Sequence, residues 1–162
     1  MTPANLSTAQ GLAATCLTAN AAFAGVPLFL ELAEGATPDE LAALLKQFEN
    51  ALATVGVAAV ILSPELASLD EVKAGAVHAD LAVTIALVEN PEVNRAAADA
   101  SIVPARTPAG KSLRVLLEAA VAALLPAEFR FPHQLAGRVE WADGYWASYL
   151  VAHKRHIIRA AS

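Results

Sequence analysis

The sequence predicts a single α+β domain over residues 1–162, in which two to three helices pack on a mixed or antiparallel sheet of about four to five strands. Two observations lead to this fold class. Short apolar runs of strand length alternate with longer segments in which apolar residues recur every three to four positions. The chain of 162 residues also has the length of one domain with its own core. The predicted order of elements is α-β-α-β-β-α-β-β.

The first helix is predicted at residues 5–22, where apolar residues recur at helical spacing and Ser7 or Thr8 can cap the amino terminus. Cys16 lies in this segment. A lone cysteine on an alanine-rich helix is expected to be a small buried residue rather than a nucleophile. A short buried strand is predicted at residues 26–32, after the helical pattern has ended.

The second helix has the clearest signals at both ends. Thr37 and Glu40 form a predicted capping box with Pro38 in the first turn, and Gly56 ends the helix. One apolar stripe runs along this helix, with polar residues outside it toward solvent. The stripe consists of Leu41, Leu44, Leu45, Phe48, Leu52 and Val55.

Residues 57–64 predict a second strand, and residues 64–76 predict an acidic connection with room for one helical turn. The stretch Asp80–Arg95 is the most strand-like of the chain, because its residues alternate in size up to a polar turn at Glu89-Asn90-Pro91. Its larger residues are predicted to face the helices, and its smaller residues a second layer or a partner. The larger set is Leu81, Val83, Ile85 and Leu87, and the smaller set is Ala82, Thr84, Ala86 and Val88.

Residues 94–107 lack a consistent period, and we expect an extended loop there. A further amphipathic helix is predicted to open at Thr107-Pro108 and to end at Pro126. The last quarter of the chain, residues 137–160, predicts a β-hairpin with its turn at Ala142-Asp143-Gly144.

Charge and hydropathy narrow the classes of function. The net charge of −5 argues against general nucleic-acid binding, which requires a basic surface. Residues 1–129 carry 6 Lys/Arg against 14 Asp/Glu, a net −8, whereas residues 130–162 carry 5 against 2, a net +3. This asymmetry favours head-to-tail contacts between copies, although a solvated basic strand face explains it equally well. A mean hydropathy of +0.47 also favours a subunit interface.

The usual signatures of catalysis and cofactor binding are incomplete in this sequence. Gly110-Lys111-Ser112 resembles the end of a phosphate-binding loop, but Ala105 stands where that motif needs a glycine. His153 and His156 are three residues apart on a predicted strand and would point to opposite faces, which disfavours a shared metal. No G-x-S-x-G sequence occurs. We therefore predict no cofactor and no metal, and the absence of any apolar run of roughly 18 residues predicts no membrane span.

The densest group of distinctive polar residues follows the central strand. Glu89, Asn90, Asn94 and Arg95 could form a small catalytic group beyond a strand end. The alternative is favoured: Asn90 begins a turn, Asn94 caps it, and Arg95 pairs with a neighbouring glutamate.

The closing hairpin contains a second candidate group, which consists of Trp146, Tyr149, Lys154 and Arg155. Aromatic residues beside basic ones can stack on single-stranded nucleic acid. The negative net charge disfavours that function, so these residues are predicted to be core or interface anchors.

Two of these features together resemble a known family. The strand that leads into VENPEVNR at residues 88–95 is followed by a loop and an amphipathic helix, and the hairpin closes with WASYLVAHKRHII at residues 146–158. This arrangement is similar to small bacteriophage and prophage tail proteins of the tail-terminator or tail-completion kind. The sharp letters of the motif are Glu89, Asn90, Pro91, Asn94 and Arg95, and the segment after Arg95 lacks the glycines of the corresponding family loop.

The resemblance implies a structural function without enzyme activity or cofactor. Such a subunit would assemble as a ring with copies of itself and would end or join a tail tube, with tail-tube or head–tail joining proteins as partners. Its place would be the virion, after assembly in the host cytoplasm, without nucleic acid or membrane as a partner.

Two other functions remain open from the sequence. The first is a small cytosolic enzyme that uses the Glu89–Arg95 turn together with His78. The second is a binding module that adds a strand to a partner protein.

Overall fold

The computed structural model describes residues 6–32, 35–73, 75–94, 112–132, 138–140 and 144–159, and it confirms the α+β class with a mixed sheet. Two single-turn 3-10 helices, Ala21–Phe23 and Leu125–Ala127, accompany the regular elements. The helices are α1 (Leu6–Ala19), α2 (Pro38–Thr54), α3 (Pro91–Asn94) and α4 (Leu113–Leu124). The strands are β1 (Leu28–Leu30), β2 (Val57–Ile61), β3 (Glu65–Lys73), β4 (Ala76–Glu89), β5 (Arg138–Glu140) and β6 (Trp146–Arg159).

The sheet is built around β4. Five strands lie side by side in the order β1-β2-β4-β6-β5, and β3 pairs with β4 off this path. β4 pairs with β6 along its full length of 14 residues, from Ala76↔Arg159 to Glu89↔Trp146. The opposite edge of β4 pairs first with β3 and then with β2. β1 is parallel to β2 because α2 carries the chain back across the sheet between them.

The prediction of a connection at residues 64–76 is wrong, because residues 65–73 form β3. β3 and β4 make a hairpin in which Lys73 faces Ala76 and Gly75 has a φ of +80°. β3 lies at the edge of the sheet, where Leu66 and Leu69 are exposed. An exposed edge strand has no buried face that would impose apolar alternation on its sequence, so the usual strand signal is missing.

The principal core lies on one face of the sheet, between β4 and the helices α1 and α4. The prediction for β4 is confirmed there, because its larger residues face these helices and are nearly inaccessible to solvent. The partners of these residues are Ala9, Ala13 and Leu17 of α1, Leu113, Leu116, Ala120 and Leu124 of α4, and Val57, Ala59, Ile61, Leu150 and Ala152 of the sheet.

The opposite face of the sheet is covered by α2 at one end. Ala51 and Leu52 pack there on small residues of β2, β4 and β6. The rings of Phe29 and Phe48 meet edge to face, with 5.7 Å between their centres. In the first half of the apolar stripe of α2, Leu41 and Leu45 are exposed and Leu44 is half-buried. The smaller residues of β4 beyond the reach of α2 stay half-accessible on this face, for example Thr84.

Several boundaries concern residues outside the described ranges. The predicted loop at 94–107 is described only at Asn94, and the predicted helix start at Thr107-Pro108 lies outside the described residues. α4 is described from Leu113. The predicted hairpin is present, because β5 pairs antiparallel with β6, but only Gly144 of its predicted turn is described.

Replacing Leu116 with alanine should lower the free energy of unfolding by about 2–5 kcal/mol, because this fully buried side chain would leave a cavity between α4 and the sheet. Urea denaturation followed by circular dichroism measures the change. The neighbouring Val115→Ala is the control, since Val115 is exposed on the same helix and should change stability by less than about 0.5 kcal/mol. Equal losses for the two variants would contradict the assigned helix face.

The cap of α2 should make stability depend on pH through Glu40. Its carboxylate accepts hydrogen bonds from the backbone N–H and the hydroxyl of Thr37 at 2.7 and 3.0 Å, and these bonds hold the pKa of Glu40 below its usual value. A carboxylate with a lowered folded-state pKa stabilises above its unfolded pKa, and this contribution is lost as pH falls through the folded pKa.

The stability advantage of the unmodified protein over Glu40→Gln should therefore shrink between about pH 6 and about pH 3. Thermal unfolding at a series of pH values tests this. Glu49→Gln, on the same helix and also exposed, serves as the control. A difference for Glu40→Gln that stays constant across the series would contradict the assigned cap.

Candidate functional site

The polar residues that follow β4 form a buried turn, here called the polar turn (Glu89–Asn94). The exposed fractions of Glu89, Asn90 and Asn94 are 1%, 7% and 0%. Polar groups that are buried this deeply must be hydrogen-bonded, because a buried polar group without a partner destabilises the folded state. Among the described residues, every buried side-chain nitrogen or oxygen has a hydrogen-bond partner.

The hydrogen bonds of the polar turn join it to neighbouring elements. The Asn94 Nδ2 donates to Glu89 Oε1 at 2.8 Å, and the Asn90 Nδ2 donates to the Leu52 carbonyl of α2 at 3.2 Å. The Asn90 Oδ1 accepts from the Glu92 N–H at 3.1 Å, which is the bond that starts the turn of α3. The backbone N–H of Asn90 donates to the Gly56 carbonyl at 2.8 Å. The turn thus ties the ends of α2 and β4 together.

Gly56 makes this close approach possible. Its φ of +86° favours glycine, and a Cβ built on it would lie 2.6 Å from the backbone nitrogen of Asn94. Its role is therefore larger than the helix stop that the sequence predicts. Gly56 is the point at which α2, β2 and the polar turn come into contact.

These contacts fit the structural interpretation of the polar turn. Asn90 begins a turn as predicted, and Asn94 bonds to Glu89 inside the protein. Arg95 lies outside the described residues. His78, which the enzyme hypothesis joins to this group, stands 11 residues before Glu89 on β4, roughly 36 Å away along a strand. The structure does not bring His78 and the polar turn to one site.

The two aromatic candidates lie on opposite faces of β6. Trp146 faces Glu89 across the strand pair and packs against the principal core. Tyr149 faces Ala86 and packs with the cluster under α2. Because they point to different sides, they do not form one stacking platform with each other.

The two basic candidates differ in accessibility. Lys154 is 9% exposed, and its Nζ donates to the Ala127 carbonyl, lies 3.6 Å from Glu128 Oε2 and stands 5.6 Å above the centre of the Phe129 ring. This ammonium is therefore held within its own chain. Arg155 is exposed and reaches Asp80, with 3.6 Å between its Nε and Oδ1.

Asp80 is the centre of a charged group that the sequence did not predict. Its Oδ1 lies 3.3 Å from Arg130 Nη2, and its Oδ2 accepts from the Ser68 hydroxyl at 3.3 Å. Arg130 separates two open grooves of about 380 and 290 Å³, the first lined also by Lys154 and Arg155 and the second by Asp80 and His153. Sequence spacing gives no signal for this group, because Arg130 comes beside β6 only through an isolated bridge to His153.

These charges belong to a part of the sheet that we call the distal sheet, formed by β3, residues 76–82 of β4 and residues 153–159 of β6. The principal core of the described residues ends at Leu81 and Ala152. Four large apolar side chains of the distal sheet are exposed: Leu66 (53%), Leu69 (58%), Ile157 (39%) and Ile158 (44%).

Other chemically reactive side chains among the residues that the structure describes are few. Cys16 is half-buried against the core, and burial raises the pKa of its thiol while the charge of Lys154 opposes that rise. Within the ranges given above, no group of three His, Cys, Asp or Glu side chains could hold a metal ion. The helices of the described chain include none that is long and apolar enough to cross a membrane.

Comparisons of the chain with protein-family models, with curated proteins and with solved structures gave no match. Function must therefore be argued from the polar turn and the distal sheet themselves.

Replacing Gly56 with alanine should lower the free energy of unfolding by at least about 2 kcal/mol, because strain at positive φ adds to the clash with Asn94. Gly25→Ala is the matched control: Gly25 has a φ of +75° but nothing within 4 Å of its Cβ position, so only the backbone strain of about 1–2 kcal/mol applies. Chemical denaturation compares the two. Equal losses would show that Gly56 and Asn94 are not in close contact.

Proposed function

We propose that this protein is a non-enzymatic structural subunit of a phage or phage-derived tail. Copies of it assemble into a ring that ends or joins the tail tube. The observation that carries the proposal is the distal sheet, which leaves apolar side chains and strand edges accessible beyond the described core. Tail-tube or head–tail joining proteins are the expected partners in the virion.

The exposed apolar residues support assembly. Leu66 and Leu69 lie on β3, and Ile157 and Ile158 lie on β6, the two strands that flank β4 at one end of the molecule. Three of them share one face of the sheet, and Ile157 lies on the other. Scattered single apolar residues are normal on a protein surface, but a group on one region marks an interaction site.

Charge supports a ring in particular. The sequence of β3 contains three acidic residues and one lysine. Residues 153–159 contain no acidic residue and three basic ones, of which Lys154 is held within its own chain while Arg155 and Arg159 are exposed. β3 and β6 are on opposite sides of β4. Opposite charges on opposite sides of one subunit favour head-to-tail contacts, which close into a ring when the rotation between copies is a whole fraction of a turn.

The motif on which the family resemblance depends includes the polar turn, and the hydrogen bonds of this turn support a structural role for the motif. Glu89, Asn90 and Asn94 direct hydrogen bonds to each other and to the backbone of α2. Residues used in this way position the end of β4 and the chain that follows it. A motif that holds α2 and β4 together is consistent with a family of assembly proteins.

A strand-adding binding module is the second candidate, since the edge of β3 also favours it. β3 is paired on one side only within the described chain. Edges of this kind accept an extended segment of another protein. The two functions differ in the partner: a ring needs copies of the same chain, and a binding module remains a monomer without its ligand.

Light scattering over a concentration series, followed by negative-stain microscopy, should show particles of one size that are closed rings. The ring should also cap tubes when purified tail-tube protein from the same phage or prophage is added. A monomer at every concentration, with no ring in the micrographs and no binding to tubes, would contradict the proposal and leave the binding module as the better account.

A further inference from the structure

The outer edge of β6, on the side away from β4, is paired with other described segments over only part of its length. β5 pairs with residues 146–148 and Arg130 pairs with His153. From residue 155 to residue 159, none of the described strands lies beside this edge. The outer edge of β3 is similarly without a described strand along Glu65–Lys73. Within the described residues, the distal sheet therefore has two edges that can accept a further strand.

The direction of the backbone groups on β6 follows from one pair of hydrogen bonds. The His153 N–H donates to the Arg130 carbonyl at 2.7 Å, and the Arg130 N–H donates to the His153 carbonyl at 2.8 Å. The N–H and C=O of His153 thus point away from β4. Because these groups alternate along an antiparallel strand, those of Arg155, Ile157 and Arg159 point outward as well.

The same alternation fixes the outward groups of β3. His153 faces Ala82, so the backbone groups of the even-numbered residues of β4 point toward β3. Ser68 and Asp70 of β3 face even-numbered residues of β4 and bond to them. The backbone groups of Leu66 and Leu69 consequently point outward, into the open edge.

Charge decides how these edges can meet. Two copies joined through the same edge would place acidic β3 against acidic β3, or basic β6 against basic β6, and like charges on adjacent strands are destabilising. Joining β6 of one copy to β3 of the next places basic residues beside acidic ones. Arg155 and Asp70 lie on the same face of the sheet, because their partners on β4 are Asp80 and His78.

We infer that the copies in the ring are joined edge to edge, with the outer edge of β6 (residues 155–159) hydrogen-bonded to the outer edge of β3 in the next copy. This inference rests on the proposed ring function. β3 and β6 are both antiparallel to β4, so they run parallel to each other. Rotation about a ring axis preserves the component of strand direction along that axis, so strands that run mainly along the axis make the new junction a parallel pair.

Proline substitutions test the junction because they remove one outward N–H and leave the bonds to β4 in place. Leu69→Pro blocks the edge of β3, and Ile157→Pro blocks the edge of β6. Each variant alone should weaken self-association by at least about tenfold. Leu69→Ala and Ile157→Ala are the matched controls, since they shorten the same side chains but keep the N–H. Circular dichroism verifies that all four variants are folded.

Mixing the two proline variants gives the decisive measurement. A copy blocked at β3 still offers its β6 edge, and a copy blocked at β6 still offers its β3 edge. A head-to-tail junction therefore predicts 1:1 dimers in the mixture and nothing larger, measured by analytical ultracentrifugation. A mixture that remains monomeric overturns the junction.

The remaining outcomes separate the junction from the ring. If both proline variants form rings as the unmodified protein does, the junction is wrong and the ring proposal stands. If the unmodified protein forms open filaments and both proline variants abolish them, the junction stands and the closed ring is wrong. An unmodified protein that is monomeric at every concentration overturns both.

Discussion

The antiparallel pairing of β4 with β6 is the interaction on which the rest of the structure depends. It joins the middle of the chain to its carboxyl-terminal region along 14 residue pairs. One face of this pair carries the core with α1 and α4, and one end of the other face carries α2. Its far end has little helical cover in the described core and becomes the distal sheet. Packing and assembly thus use different parts of the same two strands.

The polar turn shows how this pairing constrains chemistry. Glu89 is the last residue of β4, directly opposite Trp146, and it is buried there with its carboxylate bonded to Asn94. Burial of a carboxylate is costly unless hydrogen bonds compensate, so the turn that supplies them is part of the same unit. Gly56 adds the close contact that fixes α2 to this unit. The polar turn thereby holds the end of β4 against α2.

The sequence predictions were accurate where the interactions join residues close in sequence, and they failed where the interactions join residues distant in sequence. The capping box of Thr37 and Glu40 and the division of β4 into a large and a small face were predictable, because they arise from sterics and hydrogen bonds within a few residues. β3 was missed because an exposed edge strand needs no apolar alternation. The contact of Gly56 with Asn94 joins residues 38 positions apart in the chain, for which local spacing holds no information.

The sequence by itself determined the fold class, the main helices, the central strand and the uneven distribution of charge. Only the tertiary structure decided that Lys154 is held by Ala127 and Glu128 while Arg155 stays exposed, and that the acidic and basic segments lie on opposite sides of β4. The physical reason is that side-chain type and periodicity act locally. The accessibility of side chains and the placement of charges depend on which strands pair. β4 is the strand that pairs with β2, β3 and β6, and its contacts with β6 join residues distant in sequence.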